Sequence, residues 1–334
     1  MHMADALVAP AVAATMYAVS TAAAAYSVKK VRLENDIKKI PVMGVMSAFV
    51  FATQMINFTI PGTGSSGHLC GGLLLSILLG PYAGFLSMIS VLLIQCLLFA
   101  DGGLLALGSN IWNMAFYGCF VGYLLIYRPM VKKSMKSGWI VLASVLGSVV
   151  SLQLGAFSVT LETMASGITA LSFGQFLIMM QPIHLAIGTV EGLITAAVVI
   201  FVNNTRPELL HNQSAGNRVS FKQVLIILSA VVILIGGGLS LVASGNPDGL
   251  EWSISKVTGS TEITPESKYA DAVKTAENIQ EKTAVLPDYS FADSDLVLGT
   301  SVSGIFGSVI VALVCVGFGI LFKFFKKRDN NTKG

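Results

Sequence analysis

The stretch NFTIPGTGSSGHLCGG, residues 57–72, interrupts a long hydrophobic run and constrains how the helices around it can be arranged. It carries Pro61, five glycines and His68, one of only four histidines in the 334-residue chain. Lipid cannot satisfy the amide and carbonyl groups that a broken helix leaves free. We therefore expect this segment to be buried in protein or to line a pocket, with His68 in that pocket.

The composition of the whole chain is that of a membrane protein. It is 54% hydrophobic and only 12% charged, with a mean hydropathy of +0.74, whereas about a quarter of the residues in a soluble protein are charged. Apolar runs of roughly 20 residues, enough to cross a bilayer, recur along the chain. The sequence therefore predicts an all-α polytopic protein whose partner is the lipid bilayer and not a nucleic acid.

The apolar runs and the basic residues between them predict nine spans with a defined orientation. No basic residue precedes the first run, whereas Lys29, Lys30 and Arg32 follow it, which is the reverse of a secretory signal. Because basic residues concentrate on the inside, the N-terminus is expected outside and the C-terminus in the cytoplasm, in a multi-pass protein of the plasma membrane. The spans are predicted near 4–28, 41–58, 69–80, 84–100, 110–127, 139–157, 175–202, 222–243 and 300–322.

Residues 244–299 differ from the rest of the chain. They hold ten acidic residues and four lysines and are flanked by single spans. This pattern predicts a seven-span bundle in residues 1–202, a cytoplasmic linker in 203–221, and a two-span unit in 222–334 that carries 244–299 outside. Fusion of two subunits would produce such a chain. The external segment is expected to be either a small domain or a partly ordered loop.

Two of the four histidines are predicted to meet at the outer face. Met1 and His2 form a chelator, because the free amine, the amide nitrogen of His2 and its imidazole can close two fused rings on one metal ion. His68 is the only other histidine predicted on that side. Its imidazole would complete a square plane of nitrogens, the geometry of Ni(II) or Cu(II) sites.

The structural alternatives for these residues stay open at this point. A terminal histidine alone, or a histidine in a glycine-rich loop, is more often a hydrogen-bonding residue than a metal ligand. Ser65, Ser66 and Asn57 are candidates to orient the imidazoles. Roles in turns and helix caps explain these three residues equally well.

His184 and Glu191 lie in the seventh predicted span, on one helical stripe with Gly188. A carboxylate inside the membrane is a candidate functional residue. A buried polar pair that ties helices together is the favoured structural alternative. His211 falls in the predicted cytoplasmic linker, where a solvated role is expected.

Missing motifs narrow the function. The chain has no GxxxxGK[ST] loop for ATP, no HExxH and no serine-nucleophile pattern. Binding or transport is therefore favoured over catalysis. One alternative is a stand-alone, proton-coupled secondary metal transporter that uses Glu191 and His184. Another is a membrane metalloenzyme, which would need an open coordination position that a square plane of four nitrogens does not leave.

Three segments resemble a known family. The N-terminal MHMADAL, the stretch NFTIPGTGSSGHLCGG and the later HLAIGTVEGLIT resemble the CbiM/NikM family, the substrate-binding (S) components of energy-coupling-factor transporters for cobalt and nickel. This resemblance covers about residues 1–202. The external SGNPDGLEW, residues 244–252, is similar to the PDGLE domain of a small NikN-like companion subunit and extends the resemblance over about 222–334.

The resemblance implies a function, a ligand set and partners. The function is uptake of Ni(II) or Co(II) as transported substrate, for cobalamin biosynthesis or for a nickel enzyme. The implied ligands are the Met1 amine, the amide and imidazole of His2, and the His68 imidazole. The implied partners are a transmembrane coupling (T) component and cytoplasmic ATPase (A) subunits. Many relatives begin MHIMEG, and the departure at Met3 to Asp5 leaves the preference between cobalt and nickel open.

Overall fold

The structure is a computed structural model, and it describes residues 1–31, 39–132, 134–210, 219–291 and 298–331, with side chains up to 323. The prediction for His211 lies outside these residues. In chain order the helices and strands are α1 (Pro10–Lys30), α2 (Lys39–Gln54), β1 (Phe58–Ile60), β2 (Ser65–Gly67), α3 (Gly72–Leu79), α4 (Pro81–Phe99), α5 (Leu107–Val131), α6 (Ser137–Ala165), α7 (Phe173–Thr205), α8 (Phe221–Gly237), α9 (Gly249–Thr258), α10 (Ala270–Thr283) and α11 (Leu298–Asn331). Single 3₁₀ turns occupy Asp5–Leu7, Pro207–Leu209, Leu239–Val242, Ser267–Tyr269 and Pro287–Tyr289.

The chain is an all-α polytopic membrane protein. Among the described residues seven helices are long and apolar enough to cross a bilayer: α1, α4, α5, α6, α7, α8 with its extension to Val242, and α11. The other two predicted spans are shorter helices. Helix α2 has 16 residues and α3 has eight, so α3 is about 12 Å long. A bilayer core is about 30 Å thick, and the loop before α3 therefore has to occupy part of that depth.

Glycines set the closest helix contacts. Helices α6 and α7 pack along their length, and a Cβ placed on Gly192 would lie 2.4 Å from the Cα of Val145. Helices α8 and α11 cross where a Cβ on Gly304 would lie 2.1 Å from the carbonyl oxygen of Gly236. Small residues at such crossings let backbones approach in lipid. The α8–α11 pair also packs against α2, which fixes the external segment over one end of the bundle.

The external segment is folded where the structure describes it. It contains α9 and α10, and α10 buries Val273, Ala276 and Gln280 on one face. The side-chain amide of Gln280 donates to the carbonyl oxygens of Cys96 and Gly102, at 3.0 and 2.9 Å. Within the external segment, residues 249–258 and 270–283 are helical.

Candidate metal site

The N-terminal residues run into the bundle before α1 begins. The sequence predicted a span from residue 4, but the first helix starts at Pro10, and the residues before it are held by hydrogen bonds. The amide of Met3 donates to Asn110 Oδ1 at 2.7 Å, and Asn110 Nδ2 donates back to the Met3 carbonyl at 3.1 Å. Gly103 donates to the same carbonyl at 2.9 Å. Met1 is thereby buried, with 4% of its surface exposed.

The loop of residues 57–72 forms a short hairpin that presents His68. Strands β1 and β2 pair antiparallel, and His68 follows β2 directly. Its Nδ1 lies 3.0 Å from the carbonyl oxygen of Leu69. Because a carbonyl can only accept, Nδ1 carries the proton, and the Nε2 lone pair accepts from the Met1 ammonium 3.0 Å away. The second-sphere partner of His68 is thus a backbone carbonyl, and it turns Nε2 towards the N-terminus.

Met1, His2 and His68 meet in one buried place. The Met1 amine lies 3.0 Å from His68 Nε2, and the His2 and His68 rings stack with their centroids 5.1 Å apart. Two nitrogens bound in adjacent positions to one ion, each at about 2.0–2.1 Å, lie about 3 Å apart. Within the described part of the chain, no three His, Cys, Asp or Glu side chains converge to hold a metal by themselves. A site here therefore needs the backbone nitrogens.

The external segment contributes a carboxylate that sequence reasoning did not identify. Asp248, in the PDGLE motif, lies with Oδ2 2.6 Å from the Met1 amine and 3.8 Å from His68 Nε2. Its Oδ1 accepts from the first amides of α9. Burial alone would lower the pKa of the Met1 amine, but the charge and hydrogen bond of Asp248, together with the charges of Cys70 and Asp101, outweigh it and the pKa is raised. Burial opposes ionisation of Asp248 too, yet the ammonium beside it holds the carboxyl pKa well below its usual range.

The environment of His2 keeps its imidazole neutral. Burial lowers the His2 pKa to about 4, in spite of the charge of Asp101 nearby. Its Nδ1 lies 3.2 Å from Asp101 Oδ1, and its Nε2 lies 3.3 Å from Gln95 Oε1. Asp101 also accepts from the hydroxyl of Tyr289 in the external segment. A neutral imidazole is the protonation state that binds metals.

The hydrogen bonds of the three candidates for orienting the imidazoles join them to other groups. Ser66 donates its hydroxyl to the carbonyl of Asn246 at 2.8 Å, so it ties the hairpin to the segment leading into Asp248. Ser65 donates to the carbonyl of Ser66. The carbonyl of Asn57 accepts from the amide of Ser244 at 2.7 Å. These contacts join the loop to the external segment, while Leu69 orients the ring of His68.

Glu191 fastens the same loop from the other side. One of its oxygens accepts from the amide of Cys70 at 2.7 Å and the other from the amide of Gly71 at 3.1 Å. Gly71, at a φ of +81°, is the residue before α3. Glu191 thus ties α7 to the start of α3 through backbone amides. His184, two turns earlier on the stripe, lines a small cavity with Met1 and His68.

A larger acidic cavity connects the site to the external segment. It has a volume of about 830 Å³ and is lined by His2, by His68 and by residues of α9, α10 and the turns beside them. Among the described residues that line it there are eight carboxylates and no lysine or arginine: Asp5, Asp101, Asp248, Glu251, Glu262, Glu277, Glu281 and Asp288. We refer to this cavity as the acidic vestibule. The acidic bias of residues 244–299 was the sequence signal for it.

The structure thus combines a membrane-spanning helical bundle with a buried group of nitrogen atoms and an acidic cavity beside it. Comparison with known proteins identifies which class it is. Residues 2–209 match the CbiM family, described as the cobalt uptake substrate-specific transmembrane region, and residues 222–324 match the PDGLE domain. The chain belongs to the CbiM family and carries a PDGLE domain after it. It is therefore a transport protein and not an enzyme.

Similar proteins agree with this assignment over most of the chain. A putative fused nickel transport protein NikMN of Archaeoglobus fulgidus is 34% identical over 96% of this chain and 98% of its own length. The cobalt transport protein CbiM of Sorangium cellulosum is 30% identical over 54% of this chain and 80% of its own. A crystal structure described as a truncated transition metal transporter superposes with a TM-score of 0.54 at 34% identity, over 61% of this chain and 99% of its own.

Proposed function

We propose that this chain captures Ni(II) or Co(II) at the outer face of the plasma membrane. The ligands are the Met1 amine, the amide nitrogen and imidazole of His2, and Nε2 of His68. The single observation that carries the proposal is the 3.0 Å approach of the Met1 amine to His68 Nε2 inside a buried pocket. That separation suits two adjacent nitrogens on one ion, and both relatives described above are named for nickel or cobalt.

Binding changes the protonation and orientation of these groups. The Met1 amine loses one proton and the His2 amide loses another, since metal ligands must offer lone pairs. The His2 ring must turn its Nδ1 away from Asp101, 3.2 Å distant, to face the ion. A coordinated amine keeps two N–H bonds, so Asp248 can go on accepting a hydrogen bond from it. Asp248 then acts as a partner of a ligand and not as a ligand.

The external segment encloses the site and supplies the approach to it. We propose that the ion enters through the acidic vestibule, and that the two-span unit is required for transport without holding the ion itself. The division into residues 1–202, 203–221 and 222–334 is supported by the two separate family matches. In this proposal the site lies outside, with the N-terminus, and the C-terminus lies in the cytoplasm, as the distribution of basic residues predicts.

The energy for uptake comes from separate subunits in this proposal. Since the chain has no ATP-binding loop of its own, a transmembrane T component and cytoplasmic ATPase (A) subunits of an energy-coupling-factor complex drive release of the ion inside. The delivered ion serves cobalamin biosynthesis or a nickel enzyme.

Uptake of radioactive nickel and cobalt by cells that contain the complete transporter tests the proposal. The variants His2→Ala and His68→Ala each lose a ligand, and uptake should fall to the background of cells without the chain. His211→Ala, in the predicted linker, is the matched histidine control and should transport normally. Normal uptake by both site variants, at normal protein levels, would refute the ligand assignment.

A further inference from the structure

The two ring nitrogens of His2 face different acceptors. Nδ1 lies 3.2 Å from Asp101 Oδ1, and Nε2 lies 3.3 Å from Gln95 Oε1. A neutral imidazole carries one N–H, so the ring can donate to only one of these oxygens at a time. The position of that proton matters, because a chelate that includes the His2 amide nitrogen uses Nδ1. Nδ1 must then offer its lone pair to the ion.

The carboxylate of Asp101 is the stronger of the two acceptors. A hydrogen bond to an ionised group is roughly twice as strong as one between neutral groups, so the proton is favoured on Nδ1. Gln95 fits both positions of the proton, since rotation of its amide exchanges the acceptor oxygen for the donor NH₂. The hydrogen bond from Nδ1 to Asp101 and a bond from Nδ1 to an ion exclude each other.

Tyr289 of the external segment fixes the carboxylate of Asp101. Its hydroxyl donates to Asp101 Oδ2 at 2.5 Å, which leaves Oδ1 for His2. The Asp101 side chain is 22% exposed and lines the acidic vestibule. Without the Tyr289 hydroxyl, this carboxylate could turn away from His2 towards water in the vestibule.

The backbone that carries Tyr289 has an uncommon conformation. Asp288 and Tyr289 have φ of +47° and +57°, values that residues other than glycine seldom adopt. Such a conformation persists where the surrounding contacts hold it. Here the Tyr289 ring stacks on Phe99 with the centroids 4.9 Å apart, and the amide of Leu286 donates to the carbonyl of Leu98 at 3.2 Å. These contacts fix the Tyr289 hydroxyl at the end of α4.

We propose that Tyr289 is a positioning residue of the metal site, which acts through Asp101 to keep the His2 proton on Nδ1 until an ion displaces it. This inference rests on the proposed function. Before the ion binds Nδ1, the ring loses the proton from Nδ1 and gains one at Nε2, so its charge does not change. Gln95 accepts the hydrogen bond from the new N–H. The external segment thus slows loading of the site through Tyr289, while the vestibule attracts the ion.

Nitrogen NMR of the purified, metal-free full-length chain with isotopically labelled histidine tests this inference. The shifts distinguish N–H from a bare nitrogen, and His2→Gln identifies the signals of His2. The wild type should carry the His2 proton on Nδ1. Asp101→Leu removes the acceptor, so the ratio of the two tautomers should change more than about tenfold in favour of Nε2–H.

Tyr289→Phe removes the hydroxyl and keeps both the stacked ring and every charge. The tautomer ratio should shift towards Nε2–H by about 2- to 10-fold, the size expected for one hydrogen bond. Stopped-flow association of Ni(II) should accelerate by a similar factor at every salt concentration. Tyr269→Phe, which changes the other tyrosine of residues 244–299, is the matched control and should follow the wild type in both measurements.

Three results would overturn the inference. They are a proton on Nε2 of His2 in the metal-free wild type, a tautomer ratio that Asp101→Leu leaves unchanged, and wild-type behaviour of Tyr289→Phe in both measurements. A failure of the proposed function gives a different result. One equivalent of Ni(II) would then leave the nitrogen signals of His2 and His68 in the wild type unchanged.

Discussion

The acidic vestibule should accelerate capture of a divalent cation, and the acceleration can be measured. Glu262, Glu277 and Glu281 line it. The perturbation is the triple replacement of these residues by glutamine, which keeps their size. Asp271→Asn on α10, the helix that also carries Glu277 and Glu281, is the control, because Asp271 is exposed and does not line the vestibule.

The size of the effect follows from the dimensions of the vestibule. A sphere with the vestibule's volume of about 830 Å³ has a radius of about 6 Å, so lining carboxylates lie roughly 10 Å from an ion at its centre. With the dielectric constant of water and a screening length of ~10 Å at 0.1 M salt, each lowers the energy of a divalent cation by about 0.3 kcal/mol. Three together give about 1 kcal/mol, or fivefold in association rate. At 0.01 M salt, screening weakens and the factor rises to roughly 20-fold.

Stopped-flow measurement of Ni(II) association with the purified chain, at several salt concentrations, gives this factor directly. We expect a slower association rate for the triple variant, a flatter dependence on salt and an unchanged dissociation rate. The Asp271→Asn control should follow the wild type. A wild-type association rate that does not depend on salt would refute the reasoning, because the vestibule would then exert no field on the ion.

Two further predictions concern the residues that hold the site. Glu191→Gln replaces one of the two oxygens that accept from the amides of Cys70 and Gly71 with an NH₂ group, at a cost of about 1–3 kcal/mol. Isothermal titration should then show nickel binding about 5- to 150-fold weaker, and unchanged binding would contradict the role of Glu191 as a clamp. Because burial lowers the His2 pKa from 6.5 to about 4, the unfolded chain binds a proton between those values that the folded chain does not. The free energy of unfolding should therefore fall, by up to about 3 kcal/mol, as the pH drops from 6.5 to 4. Thermal unfolding in this window should be less sensitive to pH in His2→Gln, and an equal dependence in both proteins would contradict the burial of His2.

The sequence predicts the parts of this molecule that depend on local composition. Apolar runs fix the helices, because length and hydropathy alone decide whether a segment crosses a bilayer. Prediction fails where a segment's structure depends on distant partners. The sequence predicts that the first span begins before Pro10. In the structure, however, the side chain of Asn110 hydrogen-bonds both the amide and the carbonyl of Met3. The sequence also predicts a span in residues 69–80. In the structure α3 is too short to cross the bilayer core, and the hairpin before it occupies part of that thickness.

The candidate site also has some residues that the sequence predicts and others that it does not. Met1, His2 and His68 could be proposed from the sequence because the chain has few histidines and a chelating dipeptide is visible in it. Asp248 could not, since it lies 247 residues from the amine that it contacts. The partner of the His68 ring is the backbone carbonyl of Leu69. Every residue has such a carbonyl, so the sequence does not show which one accepts the hydrogen bond. Ser66 was a candidate from the sequence to orient an imidazole or to serve in a turn, and its hydroxyl joins the hairpin to the external segment.

The most direct measurement of the central claim is the binding of nickel to a chain whose N-terminal amine has been selectively acetylated. Acetylation removes the Met1 amine as a metal ligand and leaves the identity of every side chain unchanged. Equilibrium dialysis of the purified proteins should show one tightly bound Ni(II) for the wild type and none for the acetylated chain at the same metal concentration. Equal binding by both proteins would contradict a site built on the Met1 amine.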